Sequence, residues 1–120
     1  MLREEELRAV SGLDVVDENG KSIGNVEYLF NDDETGEPEW LGLVTGTFRR
    51  QHVLVPVQGV ERAGPSLRVP WPKDQVKRAP AYGEREAGGI LGLGHYSPGI
   101  SKEKEREAYA HYGLAEAHTT

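Results

Sequence analysis

Carboxylates are the densest chemistry-bearing groups in this sequence. Asp32, Asp33, Glu34, Glu37 and Glu39 crowd one short stretch. Such a density can gather a hard cation such as calcium or magnesium through oxygen ligands. The stretch lacks the Asp-x-Asp-x-Asp-Gly spacing with a closing glutamate that a dedicated calcium loop uses, and Pro38 stiffens its exit. A solvated acidic hairpin loop is therefore the first expectation. Asp32, Asp33, Glu34 and Glu37 are kept as the metal candidates of the alternative reading, and no metal is assigned.

The four histidines, His52, His95, His111 and His118, lie in separate segments and do not form a ligand set by spacing. His52 opens an apolar run and is expected at a sheet edge. Serine, histidine and aspartate sets are defined by geometry, so spacing proposes no catalytic residue. Residues 88–94 are rich in glycine, which a phosphate-cradling loop also requires. No strong strand precedes them and no Lys-Ser or Lys-Thr pair follows, so no nucleotide or other cofactor is expected. Arg49, Arg50, Arg68, Lys73, Lys77 and Arg78 are the cations that a fold can gather into a local patch for an acidic partner segment, against the plainer reading of scattered solvated charges. Trp40 and Trp71 are the largest apolar side chains, and a small core needs wide residues. Trp40, Trp71, Tyr82, Ile90, Leu91, Leu93, Tyr96, Tyr109 and Tyr112 are also the candidates for contact with a partner.

The composition limits what these residues can serve. The chain has 120 residues, 37% of them hydrophobic, with 15 glycines and 7 prolines. That suits one small, turn-rich domain with appendages and not a large enclosed active site. The absence of cysteine excludes disulfides and thiolate metal sites, and a cytoplasmic protein is the default expectation. No apolar run reaches the roughly 18 residues of a membrane-spanning helix. A net charge of −6 argues against nucleic acid as the main partner.

The elements that must position the candidates are mostly short strands. Residues 2–10 set Leu2, Leu7 and Val10 among charges and make a short helix or arm. Leu13, Val15 and Val16 begin the first strand, and Asn19-Gly20 marks a hairpin into a second strand at residues 22–30. The acidic loop leads to a third strand over residues 39–47, and a fourth follows at residues 52–57, where Pro56 belongs at a strand end, an edge or a bulge. Ala63-Gly64-Pro65 turns into a fifth strand carrying Leu67, Val69 and Trp71. A helical turn from Lys73 ends before Pro80. Five short strands separated by such turns indicate a small antiparallel barrel or sandwich. Residues 81–100 read as a glycine-rich arm. A short helix then starts at Ser101 as N-cap, without a capping box because Lys104 replaces the glutamate, and stops at Gly113. Residues 115–120 form a tail.

Gly12, Val15, Asp17, Gly20, Ile23, Gly24 and Val26 fit the pattern G-x-x-V-x-D-x-x-G-x-x-I-G-x-V. With Pro38 to Leu41, the Val55-Pro56-Val57 strand and the closing Val76-Lys77-Arg78-Ala79-Pro80, residues 12–80 resemble the PRC-barrel domain. The tail from Arg106 to Leu114 is similar to the ending of stand-alone bacterial members. The resemblance implies a mainly β fold, a small antiparallel barrel like those of the photosynthetic reaction-centre H subunit and of a ribosome-maturation factor. It also implies an interaction or scaffolding role rather than catalysis. The resulting expectation is a non-catalytic module that self-associates, with a dimer favoured, and docks a protein partner, the 82–114 segment reaching a neighbouring subunit. A metal- or small-molecule-binding protein using residues 31–39 is the alternative. An RNA-processing accessory is the lesser one, with no nucleic acid expected on charge grounds.

Overall fold

Asn19-Gly20 turns the chain between the first two strands of the computed structural model, with Gly20 at φ 82°. Asp17 builds this turn: its Oδ1 accepts from the backbone N–H groups of Asn19 and Lys21, each at 2.9 Å. The structure describes residues 2–7, 9–32, 34–46, 48–83 and 100–114. Four of the expected contact residues, Ile90, Leu91, Leu93 and Tyr96, lie outside them, as do Asp33 and the glycine-rich stretch at 88–94.

The elements are α1 (Glu4–Leu7), β1 (Asp14–Val16), β2 (Ser22–Asn31), β3 (Pro38–Thr45), β4 (Gln51–Pro56), β5 (Glu61–Ala63), β6 (Ser66–Arg68), α2 (Lys73–Lys77) and α3 (Lys102–Tyr112). The strands form one sheet in the order β4-β3-β2-β1-β6-β5. This is the expected mainly β, barrel-like class with a short C-terminal helix, although hydrogen bonds do not close the sheet among the described residues. Two details differ from the five-strand antiparallel expectation. Residues 61–63, which the expectation gave no strand and of which Ala63 was read as the start of a turn, pair with β6 as a strand of their own. The β1–β6 pair is parallel, Val15 lying beside Leu67. The β4-to-β5 connection carries the chain from one edge of the sheet to the other, so β6 reaches β1 without a hairpin to reverse it.

Strand β3 is buried on both faces, and this explains its continuous apolar run. Leu41 and Leu43 alternate inward with Val53 and Val55 of β4 and join Val15, Val26, Leu67, Val69 and Val76 in the main core. Trp40 and Leu54 point the other way into a second cluster with Phe30, Tyr82, Ile100, Ala108 and Tyr109. Helix α3 covers that outer face. Its buried residues, Glu105, Ala108, Tyr109 and Tyr112, recur at the spacing of one helical face. Ser101 Oγ accepts from the Lys104 N–H at 3.1 Å, and Gly113 ends the helix in the left-handed conformation at φ 69°.

The outer edge of β4 is also covered by its own chain. The Leu54 N–H donates to the Pro80 carbonyl and the Tyr82 N–H donates to the His52 carbonyl, both at 3.1 Å. Tyr82 then lies across Gly42, where an added Cβ would stand 2.6 Å from the phenol ring. Only glycine permits that approach.

Candidate docking groove

An open groove of about 750 Å³ lies where the start of β2, the β3–β4 hairpin and α2 meet. Arg50, Lys73 and Lys77 line it, together with Gly24, Asn25 and Glu27. Each cation is placed by a specific piece of local structure. Arg50 sits at the end of the β3–β4 connection, immediately before β4. Lys73 and Lys77 are four residues apart on α2, so they share one face of that turn.

Helix α2 is short and is held by tertiary contacts. Val76 is fully buried beneath it. Asp17 Oδ2 accepts from the Lys73 N–H at 3.4 Å, so the side chain that builds the first hairpin also ties down α2. Burial works to raise the Asp17 carboxyl, but backbone N–H donors from Lys21, Asn19 and Lys73 outweigh it and hold the group below its ordinary value. Gln75 Nε2 donates to the His111 carbonyl at 3.2 Å, and His111 Nε2 donates to the Gln75 carbonyl at 2.6 Å, which links α2 to α3.

The carboxylate in the groove is already engaged. Glu27 Oε1 accepts from the Tyr82 hydroxyl at 2.7 Å and lies 2.8 Å from His52 Nδ1. Burial, reinforced by the Glu27 hydrogen bond and charge, pushes the Tyr82 phenol well above its ordinary value, so it remains a donor at neutral pH. Arg50, Lys73 and Lys77 make no ion pair among the described residues. The groove is thus a local positive surface on a chain of net charge −6. Close to it, Phe48 is 99% exposed at the hairpin tip beside Arg49 and Arg50.

A second cleft, of about 190 Å³, is lined by Asp32, Glu37, Glu39 and Tyr109. The carboxylates kept as candidates of the alternative metal reading make contacts of their own. Asp32 Oδ2 accepts from the Thr35 hydroxyl at 3.0 Å and Oδ1 accepts from the Glu34 N–H at 3.3 Å, which shapes the loop. Glu34 pairs with Lys102 at 3.5 Å, and its charge raises the Lys102 ammonium above its ordinary value. Glu37 is exposed. Among the described residues no three His, Asp or Glu side chains converge as a metal set.

Sequence reasoning missed what lies under α3. Glu39 and Glu105, 8% and 7% exposed, face one another, and the Tyr109 hydroxyl donates to Glu39 Oε2 at 2.8 Å. Burial, then the hydrogen bond and charge of Glu39, push the Glu105 carboxyl up to about 8, with Lys102 opposing the shift. The available signal was a carboxylate at the first position of the Glu105, Ala108, Tyr109, Tyr112 stripe.

The remaining candidates fall inside the chain's own packing. Trp40 is 1% exposed and packs against Tyr109 with ring centroids 4.6 Å apart and the rings tilted by 49°. Tyr112 is buried, donates to the Leu54 carbonyl at 2.6 Å and packs on the half-buried Trp71. Tyr82 is likewise buried, so these rings offer a partner little area. His95 and His118 lie outside the described residues.

The family model of the PRC-barrel domain matches residues 3–76. The chain belongs to the PRC-barrel family. The matched stretch takes in all six strands, Arg50 and Lys73, whereas Lys77 and α3 lie beyond it. Membership suggests a small interaction module. Comparison with curated proteins found no match. No described helix of this PRC-barrel chain is long and apolar enough to cross a membrane.

Proposed function

We propose that this PRC-barrel chain is a non-catalytic module that docks a protein partner in the groove between β2, the β3–β4 hairpin and α2. The observation carrying this reading is the groove itself, an open concavity of about 750 Å³ lined by Gly46 and Arg50 of the β3–β4 connection, in which Phe48 is 99% exposed. A large exposed aromatic next to such a cleft is the usual material of an interface anchor. The outward-facing cations, and the engagement of Glu27 by Tyr82 and His52 and of the Ser22 hydroxyl by Asp14 at 2.8 Å, favour recognition over bond-making chemistry.

A photo-crosslinking side chain at Ser11, on the exposed rim, tests the reading against the same group at Arg62 of β5. Adducts with a discrete polypeptide from Ser11 alone are expected. Equal labelling from both positions, or none from either, contradicts it.

Self-association to a dimer in the cytoplasm belongs to the same proposal. Residues 84–99 lie outside the described residues, and this part of the proposal rests on their sequence, a glycine-rich stretch with isolated apolar residues that gain little unless something covers them. Light-scattering mass over a concentration series decides the point: a constant dimer is expected, and a strict monomer removes this part of the proposal.

A further inference from the structure

We propose that the groove recognises an extended, acidic segment of the partner polypeptide, its carboxylates paired with Arg50, Lys73 and Lys77 and an apolar side chain set against Phe48. The inference rests on the docking reading above and names the chemistry of the occupant.

Charge complementarity carries the argument. Two different elements bring three cations to one concavity, and none has an ion-pair partner among the described residues. The opposing carboxylate, Glu27, is held by Tyr82 and His52 and stays with the sheet. Arg50 and Lys77 are exposed and Lys73 is half-buried, so all three keep contact with water. That suits carboxylates on a segment that remains partly hydrated at an interface rim, where charge sets orientation and encounter rate.

The wall of the groove favours a polypeptide over other anions. The Asn25 side chain on this wall is exposed; its Nδ2 donates to the Gly12 carbonyl at 3.4 Å, and its Oδ1 can accept a backbone N–H from an occupant. Phe48 supplies an apolar contact two residues from Arg50. A net charge of −6 opposes the dense phosphate array of a nucleic acid more strongly than it opposes a few carboxylates on a short segment.

The test is fluorescence anisotropy of the full chain with a short labelled peptide alternating aspartate with leucine. A peptide alternating lysine with leucine is the control. The acidic peptide is expected to bind, to weaken as salt is raised, and to lose about fivefold or more of its affinity on Lys77→Glu or Arg50→Glu. Phe48→Ala is expected to weaken it as well. Circular dichroism confirms that each variant is folded, and Lys77→Gln replaces any that is not. Equal binding of the two peptides, or acidic-peptide binding that ignores both charge reversals, overturns the inference. So does no acidic-peptide binding, including the case where single-stranded RNA, inorganic phosphate or anionic phospholipid vesicles bind and depend on Lys77 and Arg50. Specific crosslinks at Ser11 without acidic-peptide binding leave the docking reading standing and remove only this occupant. Blank results in both experiments remove the docking reading too.

Discussion

Glu105 and Glu39 meet where α3 packs on the sheet. Two carboxyl groups cannot both ionise at close range in a poorly hydrated place, so one of them holds a proton. Burial and the facing Glu39 push Glu105 from 4.5 up to about 8, while Lys102 pulls it down and Asp32 adds to the rise. The folded state therefore binds this proton more tightly than the unfolded chain does. The associated stability is fully present below pH 4.5 and is lost as pH rises through about 8. Asp17, with a lowered value, acts in the opposite sense, and its stability is lost only in acid. The folded state is expected to be more stable near pH 5 than near pH 9 by about 1–2 kcal/mol after allowing for solvent screening, read as a higher midpoint in thermal melts. Glu105→Gln keeps the hydrogen-bonding shape without the titration and is expected to flatten that dependence. An identical slope in the variant shows that the proton sits elsewhere.

Helix α3 and the outer face of β3 show how a barrel this small extends its core. Trp40, Leu54 and Gly42 face outward from the barrel, and Tyr82 and α3 cover them. Gly42→Ala drives a methyl group into the Tyr82 ring, which must move and release Glu27. A loss of about 1–3 kcal/mol is expected from such overpacking, read as a lower denaturant midpoint. A neutral result means that the ring has room to shift. The ends of α3 were legible, because Ser101 and Gly113 are capping residues by chemistry. The first hairpin was legible for a similar reason, since Asn19-Gly20 accepts the turn that Asp17 then ties. The parallel β1–β6 pair was not, because period-two alternation reports which face a residue takes and is silent on strand direction. The docking of Tyr109 on Trp40 and of Glu105 on Glu39 was equally hidden. Those pairs are far apart in sequence, and aromatic residues suit a partner surface as well as a core.

Across the whole molecule, charge divides the two clefts. The acidic cleft carries Asp32, Glu37 and Glu39, while the groove carries Arg50, Lys73 and Lys77 within a chain of net charge −6. At the acidic cleft Asp32 is committed to its own loop, Glu34 to Lys102 and Glu39 to Tyr109. Adding calcium, magnesium or zinc is therefore expected to leave the melting temperature unchanged. A concentration-dependent rise for one ion, by mass action on the folded state, contradicts this assignment. The three cations were visible in the sequence as separate residues. Their meeting was not, since it depends on Asp17 holding α2 beside β2. The most direct measurement of the docking account is an amide chemical-shift map of the full chain titrated with the acidic peptide. The expected result is a contiguous set of shifts at Gly24, Asn25, Arg50, Lys73 and Lys77, with the acidic cleft unperturbed. Shifts confined to the acidic cleft or α3, or no shifts at all, contradict it.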